Sequence, residues 1–416
     1  MRSAGRAALT SRDANLYLVA NILASLGLGV VVFYLNFLYR ALGHSDIALG
    51  ALVGAEAAGV VIGALPADRF ARAHSRRASL LVGGIVTGVG LMGILVSSAF
   101  VPLAASALVL GGGGILAYAS GTALLADATG VAARPARFGL QLALTTIAAL
   151  VAGVVAGAMA APVAALLDAP PDSVVVLRVL VAAGGLIAGA SVIPTLFVRA
   201  VPVPLPAAEA APRARLLLRF LLVNACFGFG AGSFLPFLNL FFRDRFGVPF
   251  ESLGLILGAL SAVGSVGAFL HGRTLVPRLG VLRAVVLAEL LSVAFALGAG
   301  LAGRLELVIV LLAVRSMLMY GATPSFSAFT LSSFAPSERA GAQIAAAIAF
   351  SGADAAGAFI SGAVRTALGD AGWTANLATL SVAYVAAAVL TLVLFRRHVP
   401  AGDVGVLSPA VPDSQA

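Results

Sequence analysis

The sequence has one cysteine, no lysine and few charged side chains. Of its 416 residues only 10% are charged, and all 26 basic residues are arginines. A lone cysteine, Cys226, excludes a disulfide within the chain. The histidines lie singly and far apart, so the sequence predicts neither a metal site nor a bound cofactor. They are His44, His74, His271 and His398.

Apolar residues make up most of the chain. They account for 61% of it, and the mean hydropathy of +1.06 is far above that of a soluble protein. The sequence is therefore that of a membrane protein, with the lipid bilayer as its surroundings. The net charge of +9 does not indicate nucleic-acid binding, because the arginines are spread between apolar segments instead of forming one basic face. Neither H-E-x-x-H nor G-x-S-x-G occurs, so we expect no enzyme.

Twelve apolar segments are long enough to cross a bilayer, which takes about 20 residues per helix. They cover residues 15–40, 46–67, 78–99, 101–126, 137–163, 174–198, 217–242, 251–271, 282–303, 306–331, 340–364 and 373–395. A proline-rich, charged stretch separates the sixth from the seventh and predicts an exposed linker at 200–216. The predicted fold is an all-α membrane protein with helical bundles at 1–199 and 217–398, and a tail at 399–416.

The distribution of arginine predicts an orientation. With both termini in the cytoplasm, nineteen arginines fall in inner segments and six in outer ones, with Arg315 inside the membrane. Basic residues are retained on the inner face of a membrane. Both termini, and the linker, are therefore expected to be cytoplasmic.

The two halves of the chain are related by a repeat. Asn36 and Arg40 match Asn239 and Arg243, and the match continues at glycines, at "RFGLQ" and "RAGAQ", and at two tyrosines. The further pairs are Gly43 with Gly247, Gly50 with Gly254, Gly54 with Gly258, Gln141 with Gln343 and Tyr118 with Tyr320. An offset of half the chain indicates two duplicated six-helix units, which is typical of transporters.

The stretch "ADRFARAHSRRAS", residues 67–79, gathers one carboxylate, four arginines and a histidine between two long apolar segments. Together with the helix count, the central linker and the duplicated halves, this stretch resembles the major facilitator superfamily, which carries a G-x-L-A-D-R-x-G-R-R-like sequence after its second helix. The resemblance implies a cytoplasmic latch that fastens the two bundles when the cavity opens outward. Its members here would be Asp68, Arg69, Arg72 and Asp127; the alternative is that the arginines only enforce topology.

The stretches "FLPFLNLFFRDRFG" and "RSMLMYGATPSFSAF" resemble bacterial facilitators, and this resemblance implies a location in a bacterial inner membrane. In that family helices one, four, seven and ten line the cavity. The resemblance therefore makes polar residues of those helices candidates for substrate contact, with buried hydrogen bonding between helices as the alternative for each. They are Asn21, Tyr34, Asn36, Tyr118, Asn224, Asn239, Arg315 and Tyr320.

Four ionisable side chains lie at membrane depth, where uncompensated charge is costly. Glu56, Asp354 and Arg315 fall near one level, and Arg315 is well placed to pair with Asp354. Because two carboxylates and one arginine are not comfortably all charged, we expect this triad to hold a proton; the alternative is a static buried pair. Glu289, on the ninth helix, is expected to be structural or to reach toward the membrane surface.

The sequence thus indicates a monomeric secondary transporter that moves a small organic solute by alternating access, coupled to protons. The resemblance favours export. The alternative is an uptake symporter or uniporter for a sugar or organic acid, in which Arg315 would hold a carboxylate. A pore or a membrane scaffold is a further alternative, although a pore would place like polar groups along one path.

Overall fold

The computed structural model describes residues 9–130, 133–201, 212–335 and 337–396, with the backbone alone at Asp68, Pro135 and Ala340. Twelve of its helices are long and apolar enough to cross a membrane, which confirms the predicted spans. They are α1 (Ser11–Ala41), α2 (Asp46–Ala73), α3 (Arg76–Val96), α4 (Phe100–Asp127), α5 (Ala136–Leu166), α6 (Val174–Leu196), α7 (Ala214–Phe246), α8 (Phe250–Leu279), α9 (Val281–Leu301), α10 (Leu305–Ser333), α11 (Gly341–Leu368) and α12 (Ala371–Phe395). No strand occurs in these ranges.

The helices pack in the same pattern in each half. In the first half α1 contacts α5 and α6, α4 contacts α2 and α3, and α3 contacts α6. In the second half each contact recurs six helices later: α7 with α11 and α12, α10 with α8 and α9, and α9 with α12. The halves meet along α2 with α11 and along α8 with α5, which are equivalent positions under the same rule. The sequence repeat is therefore a structural repeat.

Two of the repeated glycines end equivalent helices. Gly43 follows α1 with φ +87°, and Gly247 follows α7 with φ +63°. Both angles are in the left-handed region, which glycine adopts without a steric penalty. The repeat thus preserves the turn that brings the chain back across the membrane.

Other repeated glycines allow the two halves to approach closely. A methyl group at Gly50 of α2 would meet the carbonyl oxygen of Ala358 on α11. At the equivalent place a methyl group at Gly254 of α8 would meet the carbonyl oxygen of Gly153 on α5. Small residues permit such close contact between membrane helices. The shared glycine spacing of the repeat therefore marks the two seams between the halves.

We call the side on which α6 ends and α7 begins the linker side, and the opposite side the far side. On the linker side α2 continues to Ala73, beyond the predicted end at 67. Asp68, Arg69 and Arg72 therefore lie on the last turns of a helix instead of in a loop. The predicted linker 200–216 is shorter, since α7 is already helical at Ala214. Its residues 202–211 and the tail 399–416 lie outside the described residues, and the domain boundaries stay predictions.

Candidate functional site

Two of the predicted substrate contacts lie in the seam on the far side. Asn36 donates from its Nδ2 to the carbonyl oxygen of Pro236 at 2.7 Å and to Oδ1 of Asn239 at 3.0 Å. Asn239 in turn donates to the carbonyl oxygen of Phe33 at 2.9 Å. Both amides are buried and join α1 to α7, so in this arrangement they hold the halves together.

Aromatic residues flank Asn36 along α1. Phe250, at the start of α8, contacts the rings of Tyr34 and Phe37 on α1, with centroids 5.6 and 5.0 Å apart. The Tyr34 hydroxyl donates to the carbonyl oxygen of Ala156 on α5. Tyr34 is fully buried, so it also belongs to the seam.

Four charged side chains close the same side, and we call them the far-side charge network. Asp46 accepts from Arg40 at 3.0 Å and from Arg365 of the other half at 3.0 Å. Arg40 also reaches Asp244 of the other half at 2.5 Å. Two of these three ion pairs therefore cross between the halves.

Arg365 is the most buried member of the network, with 1% of its side chain exposed. Its guanidinium lies over the rings of Phe237, at 4.4 Å from the centroid, and Trp373, at 4.7 Å. Such contacts stabilise a cation, and more so where water is absent. Asp46 is its carboxylate partner within the described ranges.

The linker side differs from the far side. Its ion pairs between described side chains stay within one half, as in Arg76 with Asp127 at 3.3 Å and Arg213 with Glu338 at 3.8 Å. Among the described residues most hydrogen bonds that join the halves lie on the far side, and the bond from Ser265 to Thr146, at 3.1 Å, lies near the middle of the membrane-spanning helices. The protein is thus closed on the far side.

Of the predicted latch, Asp127 is paired with Arg76, at the start of α3. Arg69 is exposed, and the side chain of Asp68 lies outside the description. A role of these residues and Arg72 in fastening the halves stays a prediction.

The larger cavity lies between α5, α7, α8, α10, α11 and α12 and has a volume of about 520 Å³. Three predicted substrate contacts line it: Asn224, Arg315 and Tyr320. Much of the remaining lining is aromatic or hydroxyl-bearing. These residues include Phe227, Phe326, Phe350, Tyr384, Ser261 and Thr323. The cavity thus combines an apolar surface with a single guanidinium among its described lining residues.

Arg315 is buried, with 4% of the residue exposed. Its Nη2 donates to the Tyr384 hydroxyl at 3.4 Å, and its guanidinium carbon lies 5.5 Å from the centre of that ring. Its Nε has no hydrogen-bond partner in the described part of the chain. Among the described residues Arg315 does not form the expected ion pair with Asp354. Its guanidinium faces the Tyr384 ring on α12 instead. A cation free of a carboxylate partner suits an anionic ligand.

Two predicted contacts line a smaller cavity instead. It lies between α1, α3, α4 and α6 and has a volume of about 180 Å³. Asn21 donates there to the Thr145 hydroxyl at 2.8 Å, and Tyr118 is 61% exposed. The eight predicted contacts therefore fall into three places, and only those of the larger cavity surround an arginine.

Glu56 and Asp354 lie within electrostatic reach of each other across the seam of α2 and α11. Neither carboxylate has an ion-pair partner among the described side chains, and both are half-buried. The backbone at Asp354 packs directly against Gly232 of α7. The geometry brings two members of the predicted triad together, while their part in proton binding stays a prediction.

Sequence reasoning missed Asp46, Asp244, Arg365 and Tyr384. The far-side charges had a signal, since they lie on the side where charge is scarce and Asp46 follows Arg40 by six residues. Tyr384 had none, because one tyrosine in an apolar helix does not reveal what it faces.

The fold is that of known solute transporters. Residues 17–358 match the Major Facilitator Superfamily model. The crystal structure of a point mutant of the nucleoside transporter NupG superposes with TM-score 0.74 at 16% identity, covering 92% of this chain and 100% of its own. A bacterial homologue of the human lysosomal transporter Spinster, inward-facing and occupied, gives 0.71 at 15%, covering 93% and 97%. A point mutant of the E. coli fucose:proton symporter FucP gives 0.61 at 13%, covering 91% and 97%.

No curated protein sequence matches the chain significantly. The family match nevertheless spans most of the chain, and the structural matches span nearly all of it. The chain therefore belongs to the major facilitator superfamily, whose members carry small solutes across membranes.

Proposed function

We propose that the chain is a proton-coupled secondary transporter that moves a small organic solute by alternating access. The observation that carries the proposal is the cavity of about 520 Å³ with Arg315 in its wall, in a protein closed on the far side. A cavity sealed on one side is one of the two states that alternating access requires.

The cavity wall supports a class of solute. Its volume lies in the range of sites that enclose small organic molecules. Aromatic rings favour an apolar or aromatic body, and the guanidinium of Arg315 favours one anionic group such as a carboxylate. We therefore propose a small organic anion with an apolar body.

The family resemblance makes export the first direction to test. Arg315 favours a second candidate, uptake of an organic acid together with protons. It is the one charged side chain among the described lining residues of the larger cavity, and a carboxylate bound there would neutralise it.

Transport assays on the purified protein in liposomes test the proposal. Labelled benzoate and its uncharged analogue benzamide differ in charge at nearly constant shape, so they are the first probe pair, followed by larger aromatic acids. We expect counterflow of the acids and not of the amide, and a pH gradient should drive net movement. Counterflow also separates a carrier from a pore. Absence of counterflow across the acid panel would reject the proposed solute class.

The proton-coupling role proposed for Glu56 and Asp354 predicts a specific loss. We expect Glu56→Gln or Asp354→Asn to abolish transport driven by a pH gradient, while exchange of solute at equal pH continues. The reason is that a neutral amide keeps the packing but binds no proton. The exposed Glu306, with 78% of its side chain accessible, supplies the control Glu306→Gln. Gradient-driven transport with unchanged pH dependence in both variants would remove the pair from the mechanism.

We also propose that the linker side faces the cytoplasm, as the arginine distribution suggests. Single cysteines at Ala73, on the linker side, and at Ser173, on the far side, in a Cys226→Ser background should report this. In intact cells an impermeant thiol reagent is expected to label the Ser173 site and not the Ala73 site. The opposite labelling pattern would invert the orientation.

A further inference from the structure

Glu289 is a buried carboxyl group that neither the seam nor the cavity uses directly. It lies on α9, which packs against α10 and α12, and none of the residue is exposed. Neither carboxylate oxygen has a hydrogen-bond partner in the described part of the chain. The expectation that Glu289 reaches toward the membrane surface does not agree with this full burial.

A charged carboxylate at this place would have neither counter-ion nor hydrogen-bond donor among the described residues. Burial of an isolated charge is far more costly than burial of the neutral acid, so the neutral form fits the site. A protonated glutamate inside a transporter is a store for one proton. Whether that proton has a function depends on what lies near it.

The neighbour that links Glu289 to the cavity is Tyr384 on α12. Glu289 lies eight residues above the linker-side end of α9, about 12 Å along the axis, and Tyr384 eleven residues above that of α12, about 16 Å. Tyr384 is within electrostatic reach of Glu289, and also of Arg315 on α10 and Asp354 on α11. These are the charged and titratable groups near it on the elements that pack there.

The Tyr384 hydroxyl also has the right hydrogen-bonding capacity. It accepts from Nη2 of Arg315, which leaves its own hydrogen to be donated. Neither oxygen of Glu289 accepts this hydrogen in the present arrangement, so Tyr384 connects the cation to the acid through electrostatics. Tyr384 lines the cavity as well, so it joins the solute site to the interior of the second half.

We propose that Glu289 holds a second proton that accompanies the solute, beside the one proposed for Glu56 and Asp354, and that Tyr384 couples this second proton to the charge on Arg315. The inference rests on the proposed function, because it names the group that would bind the transported proton in the second half. It gives Glu289 a role separate from that of Glu56 and Asp354 at the seam.

The sign of the coupling follows from electrostatics. In the proposed coupling a free Arg315, acting through Tyr384, favours the charged form of Glu289, whereas an anion bound to Arg315 cancels that effect and favours the protonated form. Anion and proton therefore bind together, each increasing the affinity for the other. Such co-binding moves both in the same direction, which supports the second candidate, symport of an organic acid.

Infrared spectroscopy of the protein in lipid nanodiscs, titrated with pH, tests the proposal without any solute. We expect a carboxylic-acid C=O band near neutral pH that is lost in Glu289→Gln. The control variant Glu306→Gln, at an exposed carboxylate, should keep it. A spectrum in which Glu289→Gln removes no such band would overturn the proposal.

Two variants that retain Glu289 test the coupling itself. Arg315→Met should move the disappearance of the band to higher pH by about one unit, since loss of the cation favours the neutral acid. Arg304→Met, at an arginine with 84% of its side chain exposed, is the control and should not move it. Tyr384→Phe should change the band frequency by removing a hydroxyl dipole that lies within electrostatic reach of Glu289. An unmoved band in both Arg315→Met and Tyr384→Phe would show that Glu289 is not coupled to the cavity.

These readouts separate the two proposals. A band with the expected shifts in a protein that shows no counterflow would leave the proton site standing and reject the transport function. Counterflow in a protein without the band would do the reverse.

Discussion

Asp46→Asn is expected to open the far side and to raise the labelling rate of a buried far-side cysteine about 30- to 150-fold. Asp46 holds both Arg40 and Arg365 at 3.0 Å, and it is the carboxylate partner of Arg365 among the described residues. Loss of its charge leaves a guanidinium with 1% exposure without that counter-ion whenever the far side is closed. The closed state should lose about 2–3 kcal/mol, because an unpaired buried charge is costly while the open state returns it to water.

The reporter is a cysteine at Ala358, which is fully buried against α2, in a Cys226→Ser background. Glu306→Gln is the matched control, because it breaks the Arg304–Glu306 pair on the same side, where both side chains are about four-fifths exposed. Exposed pairs contribute little, so labelling should stay at the parent rate. Equal labelling in Asp46→Asn and Glu306→Gln would show that the far-side charge network does not hold the protein closed.

The predicted latch can be tested with the same reporter, and the expected change in labelling rate is opposite in sign. If Asp68 fastens the linker side, Asp68→Asn weakens the state that is open on the far side, and labelling at the Ala358 position should fall below the parent rate. An increase instead would assign Asp68 to the closed far side, and an unchanged rate would leave the arginines of this stretch as topology signals alone.

The sequence predicted the twelve helices and their pairing into halves because both depend on local properties. Apolar length identifies a membrane helix without knowledge of its neighbours. The repeat around Asn36 and Asn239 identified equivalent positions, and the structure gives their physical meaning as turns and seams. Helix ends were less predictable: α2 continues past Pro66 to Ala73 in a charged stretch, which a hydropathy criterion treats as outside the membrane.

The site was less predictable, because it depends on the rotation of each helix about its axis. Asn36 and Asn239 are on the helices that line the family cavity, yet they face each other in the seam. Arg315 was predicted to contact substrate and does line the larger cavity, but the predicted ion pair with Asp354 was wrong, since nothing in the sequence indicated Tyr384 as its neighbour. The role expected for Glu289 was inferred from its place on the ninth helix, whereas its burial depends on which face of α9 packs against α10 and α12.

A methyl group added at Gly254 is expected to prevent closure of the far side as effectively as loss of the charge network. In the seam of α5 with α8, a Cβ at Gly254 would meet the carbonyl oxygen of Gly153, and one at Gly157 would lie 2.6 Å from that of Phe250. Atoms do not approach so closely, so Gly254→Ala must push the two halves apart. Overpacking of this kind costs about 1–3 kcal/mol, which corresponds to about a 5- to 150-fold change in the open population.

Gly352→Ala on α11 is the matched control, because a methyl group there meets nothing within 4 Å. With the Ala358 reporter, Gly254→Ala should increase labelling and slow solute exchange, whereas Gly352→Ala should do neither. The effect should also persist at high salt, which screens surface charge but does not relieve a steric contact. Since Gly50 occupies the equivalent place in the seam of α2 with α11, Gly50→Ala should give the same result. If both seam variants are labelled at the parent rate, the seams accommodate the added methyl group, and closure depends on the charge network alone.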